Sequence, residues 1–184
     1  MLMLFDQVVD MDTLAESSAE FAGADAVFCT LGTTRGAAGS AAAMRRVDLE
    51  YVDGAAAAAR AAAVPHFALL TAQGARADVW YSESRLFHPL FYMHLKGAAE
   101  AAVQARGFPR TSVFRPGMLD RGDAARFGEA LALKLLPATH VADVARAMIA
   151  AVEREAAAAR AATAPAPAAV YETADIKALA NSAK

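Results

Sequence analysis

Tyr92 and Lys96 stand four apart in the run Tyr92–Met93–His94–Leu95–Lys96, a spacing that puts both side chains on one face of a helix. A lysine ammonium held there can lower the pKa of the phenol and can also hydrogen-bond a ribose. The phenol can then give or take a proton at a carbonyl or alcohol. Thr71 closes an apolar block, His66 to Thr71, and a hydroxyl at the end of such a block can hold a substrate oxygen. Alone, the pattern is weak, because tyrosine and lysine fall at this spacing by chance in many helices. Tyr81 competes poorly for the same role, since Arg85 stands where a lysine is needed. His66, His88, His94 and His140 lack ligand spacing of the HxxxH kind, and no metal is expected.

Elements that could position these groups are legible along the chain. Leu2 to Val9 reads as a short strand. Asp12 or Thr13 can cap a helix running to about Phe21, which Gly23 closes. Asp25 to Leu31 is the next strand, and its four consecutive apolar residues suggest burial on both faces. A loop with Gly32, Gly36 and Gly39 leads into a long helix from about Ala41 to Ala63, weakly interrupted by Gly54. The strand His66 to Thr71 follows, then an aperiodic polar and aromatic stretch, 72–89. Leu90 to Arg106 is helical, stopped by Gly107 and Pro109, and Thr111 to Arg115 is a strand ended by Pro116–Gly117. Helices are expected at 124–136 and 140–160. After a Pro/Ala linker at 163–169 come a short strand, Val170 to Glu172, and a helix at 173–180.

Strands alternating with helices argue for an α/β fold with parallel crossovers in a single domain spanning 1–184. Ligands in such sheets sit outside the carboxyl ends of the strands. That rule selects Leu31 to Arg35, Thr71 to Gly74, and Pro116 to Met118, three turns on one edge.

The bulk numbers narrow the class. The 184 residues can bury a substantial core, and a net charge of -2 with no dense Lys/Arg run gives no sign of a nucleic-acid partner. The opening MLMLF meets Asp6 without a basic region, so neither a signal peptide nor a membrane span is expected. The single cysteine, Cys29, suits a reducing compartment and reads as a core residue rather than a nucleophile. A cytoplasmic location is expected, with an organelle left open.

Taken in order, "VFCTLGTTRGAAGS", "RRVDLEYV", "VPHF", "YMHLKGAAEAAV", "GFPRTSVFRPGML" and "VYETADIKAL" resemble the atypical short-chain dehydrogenase/reductases related to the Tat-interacting protein. The resemblance covers nearly the whole chain, and LGTTRG with FRPG is fairly specific. It implies a Rossmann-like parallel sheet with flanking helices and a hydride-transfer enzyme using NAD or NADP on a small carbonyl or alcohol substrate. By this resemblance Leu31, Gly32, Thr33, Thr34 and Arg35 lie along the cofactor, with Pro116, Gly117 and Met118 bordering the nicotinamide. Tyr92 is the general acid, Lys96 its activator and ribose ligand, and Thr71 the substrate-oxygen anchor. Asp48 falls where related enzymes place a polar residue near the tyrosine, although a surface or helix-capping place is expected for it here. Asp10 matches a position near the adenine.

Three departures qualify this picture. The sequence has no GxxGxxG turn to bind pyrophosphate at a helix N-terminus. It reads as if it began at the family's third strand, an N-terminally truncated domain. Charge-assisted hydrogen bonds of about 1.5–3 kcal/mol each would then be lost from cofactor binding, which leaves catalysis by this chain open. The alternative is a non-catalytic protein-interaction or regulatory protein on the same scaffold. Residues 1–10 are expected to be loose or re-paired against Ala26 to Leu31. Second, Thr71–Ala72 stands where the family usually has a serine pair. Third, the stretch from Gly74 to Tyr92 is long, with Trp80, Tyr81, Phe87, His88 and Phe91. It is expected either to close over substrate as a lid or to cover apolar surface.

Overall fold

The computed structural model describes residues 7–84, 86, 88–122, 138–161 and 168–182. Four parallel strands form the main sheet in the order β1 (Val27–Cys29), β2 (His66–Leu70), β3 (Arg110–Arg115) and β6 (Ala169–Glu172). The register sets Cys29 beside Leu69, Leu69 beside Val113, and Val113 beside Val170. Parallel neighbours cannot be joined by tight hairpins, so each step passes through helix. Between β1 and β2 come α1 (Arg35–Ala38), α2 (Ala41–Arg45), a π-helical turn (Arg46–Glu50) and α3 (Tyr51–Ala61). α4 (His88–Ala105) joins β2 to β3, and α5 (Val141–Ala161) precedes β6, which α6 (Thr173–Ser182) follows. A small second ladder pairs β4 (Met118–Asp120) with β5 (Ala138–His140) in parallel.

Alternation along each strand divides the core between the two faces of the sheet. Cys29, Phe67 and Leu69 pack with Val52, Ala55, Ala56, Ala59 and Val103 of α3 and α4. Ala68, Phe114 and Tyr171 pack on the other side with Val144, Ala147, Met148 and Ile176 of α5 and α6. The alanine wealth of the sequence thus has a use: small side chains bring α3 and α5 close to the strands. Cys29 is 4% exposed, and burial pushes its thiol up, as a core cysteine requires.

Several expectations change in detail. Residues 7–10 form no strand, and the stretch expected as one helix to Phe21 is two 3-10 turns, Leu14–Glu16 and Ser18–Phe21. Neither turn has a side-chain cap, and the apolar residues Val9, Met11, Leu14 and Phe21 fold back on the core instead. Among the described residues β1 pairs only with β2, so residues 7–10 do not re-pair with it. The long helix from Ala41 runs on as expected but contains the π turn. β4 and β5 were not foreseen, each being three residues long. The helix expected at 124–136 and most of the 163–169 linker lie outside the described residues, as does most of the strand expected at Leu2 to Val9.

Candidate active site

The carboxyl ends of β1 and β2 open into a cavity of about 360 Å³. Leu31, Gly32 and Thr33 line it from the loop after β1, Thr71 from the end of β2, and Tyr92 and Lys96 from α4. Six residues separated by up to 65 positions therefore meet in one crevice. α4 supplies the pair, and its Phe91 and Leu95 are anchored in a buried cluster with Ala41 and Met44 of α2. Tyr92 and Lys96 fall on the flank between them, and the Lys96 ammonium sits 5.9 Å from the centre of the Tyr92 ring.

Lys96 is only 4% exposed, and a buried ammonium must be paired. Its Nζ donates to the Leu31 carbonyl at 3.2 Å and lies 2.7 Å from Asp48 Oδ1. The other carboxylate oxygen of Asp48 accepts from the Thr33 backbone N–H at 3.0 Å. One aspartate thus ties the loop after β1 to the lysine of α4. Gly32 makes room for this: a Cβ there would come within 3.0 Å of Lys96 Nζ and 3.4 Å of Asp48 Oδ1. The surface or capping place expected for Asp48 is corrected, since its side chain is fully buried. A signal was available in the sequence. Met44, Asp48 and Val52 recur at helical spacing, and all three are fully buried. An aspartate on an apolar stripe is a residue with a partner to meet.

Thr71 lines the cavity, but its O–H points to Glu100 Oε1 at 2.6 Å, with the Phe114 carbonyl at 3.3 Å. Glu100, buried on α4 one turn after Lys96, also receives two bonds from Arg115 Nε and Nη2 at 2.9 and 2.5 Å. That bidentate pairing holds the Arg115 guanidinium well above its ordinary range. The hydroxyl expected to anchor substrate is therefore part of a buried ionic network joining β2, β3 and α4.

The outer members of the predicted set stand apart from the cavity lining. Thr34 caps α1, its Oγ1 accepting from Ala37 N at 3.2 Å. Arg35 reaches away and donates to the Glu83 carbonyl at 3.2 Å. Pro116 accepts from Gln73 N, Gly117 N donates to Thr173 Oγ1, and Met118 opens β4. Their neighbour Leu119 enters the cavity instead, with Arg121 and the α5 residues Val141, Val144 and Met148. These α5 residues were missed because their part in the cavity depends on where α5 docks.

The aromatic stretch before α4 lies across the helix. Arg76 N donates to the Met93 carbonyl at 3.0 Å, and the Tyr81 ring stacks on His94 with centroids 4.0 Å apart. Arg45 reaches Glu83 at 3.1 Å and its guanidinium lies over Tyr81 and Phe91. Residues 75–83 thus cover the flank of α4 and do not line the cavity.

Comparison with known proteins places this geometry in a family. Residues 6–155 match a family model described as NAD(P)H-binding. The chain is 44% identical over 130 residues to the rat protein HTATIP2, a match covering 70% of this chain and 49% of that protein. It is 39% identical over 94 residues to the mitochondrial protein FMP52-1 of Scheffersomyces stipitis, covering 51% and 38%. The chain thus spans about half or less of the length of these relatives. Among solved structures it resembles a UDP-N-acetylglucosamine 4-epimerase from Bacillus cereus, with a TM-score of 0.65 at 15% identity over 90% of this chain and 63% of that one. It also resembles MoeE5 in complex with UDP-glucose and NAD, with a TM-score of 0.62 at 18% identity over 89% and 60%. At such identities the likeness is one of fold, a Rossmann-like parallel sheet flanked by helices. With its family model, its relatives and its sheet in agreement, the chain belongs to the NAD(P)H-binding family, as an atypical short-chain dehydrogenase/reductase.

Proposed function

We infer that this crevice is the nicotinamide–ribose end of an NAD or NADP site, where Tyr92 exchanges a proton with a carbonyl or alcohol substrate. The observation that carries the reading is Lys96, buried and fixed one helical turn from Tyr92 on the rim of the β1 and β2 ends. An ammonium has three N–H groups. The Leu31 carbonyl accepts one of them and Asp48 pairs with the charge, which leaves donor capacity for a ribose hydroxyl. The cavity and the Cβ-free approach at Gly32 fit a ribose against the loop Leu31 to Thr33. NAD or NADP, when bound, supplies or accepts the hydride.

This chain's own residues then have distinct tasks. Lys96 holds the ribose and favours the ionised phenol by its charge. Tyr92 moves the proton at the substrate oxygen. The apolar wall of Leu119, Val144 and Met148 limits water around them. With the Thr71 proton directed at Glu100, Thr71 can serve a substrate only by accepting a hydrogen bond, so an alcohol O–H suits it better than a carbonyl.

Fluorescence titration of the purified chain with NADPH and with NADH tests this reading. Saturable micromolar binding, weakened tenfold or more in Lys96→Ala, is expected; removal of one charge-assisted hydrogen bond of about 1.5–3 kcal/mol gives that size of effect. Absence of binding to either nucleotide would defeat the cofactor reading and turn attention to a protein-binding role for the scaffold.

A further inference from the structure

We propose that the cavity at the amino ends of the strands, on the edge opposite the Tyr92–Lys96 crevice, is a second ligand site. It takes a small zwitterion of the amino-acid kind, with the carboxylate on Arg110 and Arg160 and the ammonium on His66. The inference is independent of the cofactor reading.

His66 opens β2, Arg110 opens β3, and Asp25 precedes β1. Together with the last turns of α5 they enclose about 400 Å³, a size common among small-molecule sites. The five residues of β2 separate this cavity from Thr71 by roughly 15 Å, at about 3.3 Å per residue.

The inner end of the cavity holds polar atoms that the fold does not satisfy. His66 is fully buried, and burial holds its pKa below the ordinary value, so the imidazole is neutral. Ser112 Oγ donates its one proton to Glu155 Oε1 at 2.9 Å and therefore accepts from His66 Nε2 at 2.7 Å. Nδ1 then carries a lone pair, and it is buried with no donor among the described residues. Ser112 and Glu155 lie outside the cavity lining, which leaves Nδ1 as the ring nitrogen available to an occupant. Half-buried Arg110 has the opposite need, since its Nε is buried without an acceptor. A buried polar atom left unpaired costs about 1–3 kcal/mol, and such atoms are few in native folds.

The mouth is charged. Asp25, Glu153 and Arg160 are exposed, and among the described residues no ion pair joins either carboxylate to Arg110 or Arg160. A simple anion would serve the arginines but leave Nδ1 without a donor and face both carboxylates. A metal ion would meet two guanidiniums. A carboxylate and an ammonium borne by one carbon answer every group: the guanidinium fork takes the carboxylate, an ammonium N–H donates to Nδ1, and the remaining positive charge faces Asp25 and Glu153. Val152 and Ala156 supply an apolar wall for a side chain.

The test uses the full chain labelled with nitrogen-15 histidine, the His66 ring nitrogens being assigned with His66→Gln. The standard amino acids are added one at a time, with acetate and methylamine as probes of a single charge. At least one amino acid should shift the Nδ1 resonance saturably, and acetate and methylamine should bind about tenfold or more weakly. Arg110→Gln and Arg160→Gln should each weaken the amino acid about tenfold, the loss expected for one charge-assisted hydrogen bond. Arg160 is exposed, so Arg160→Gln carries the test if Arg110→Gln does not fold. The NADPH titration of Arg160→Gln, whatever the parent shows, should match the parent's. No shift at His66 with any amino acid, acetate binding as tightly as the amino acid, or an unchanged affinity in Arg160→Gln overturns the proposal.

Discussion

Thr71 illustrates how one side chain can serve the fold where its type and place suggest chemistry. A threonine at the carboxyl end of a strand is where a substrate-binding hydroxyl belongs, yet its proton goes to a carboxylate that is itself clamped by Arg115. A hydrogen bond to a charged group contributes about 1.5–3 kcal/mol, and its loss leaves Glu100 Oε1 with Arg115 Nε as its remaining donor. Thr71→Val should therefore lower the stability of the ligand-free chain by about 2 kcal/mol in urea denaturation. A variant as stable as the parent would mean that the network does not depend on this bond. The roles proposed for Tyr92 and Lys96 draw on residue type and spacing together with the family resemblance. That of Thr71 does not, because an acceptor 29 residues away decides it.

At the scale of the element, α4 is the part on which the site depends, and its outer flank is covered by the segment after β2. The segment crosses at Gly97, where a Cβ would meet Ala77 N and the Arg76 carbonyl carbon at 2.2 Å. Both are backbone atoms and cannot swing aside, so a glycine inside the helix is tolerated for the sake of this crossing. Alanine gains about 1 kcal/mol over glycine in a helix interior, but the overlap exceeds ordinary overpacking, which already costs about 1–3 kcal/mol. Gly97→Ala is thus expected to lift residues 75–83 from α4. Faster trypsin cleavage after Arg76 and a lower melting temperature should report it. Unchanged cleavage and an unchanged melting temperature would argue that the segment is not held there. The glycine was visible in the sequence after Lys96; what crosses it was not.

For the whole molecule, His66 offers a handle on stability. It is fully buried at the amino end of β2, with Nε2 2.7 Å from Ser112 Oγ and 3.3 Å from Glu155 Oε2. Glu155 also accepts from Ser112 and Tyr171, so the cluster ties β2, β3, β6 and α5 together. Burial, with Arg110 nearby, depresses the His66 pKa below its ordinary value near 6.5, and Glu155 only partly offsets this. The unfolded chain then binds the extra proton more readily than the folded one. The contribution of His66 is present above pH 6.5 and is lost as pH falls below it. Denaturation midpoints should decline from pH 7 to pH 5, and His66→Gln should flatten that decline. An equally steep decline in the variant would place its origin elsewhere.

The sequence by itself determined the periodicities, and with them the α/β class, the order of the main strands and helices, and the turns that meet at one edge. It also placed Tyr92 and Lys96 one helical turn apart, because four residues on a helix have only one relative orientation. Periodicity is local, so short-range geometry was legible. Only the tertiary structure decided the partners: Asp48 on Lys96, Glu100 on Thr71, Ala77 against Gly97, and the α5 wall of the cavity. Each joins residues from separate elements, and burial requires a charge or a donor to be matched without fixing which distant residue will match it.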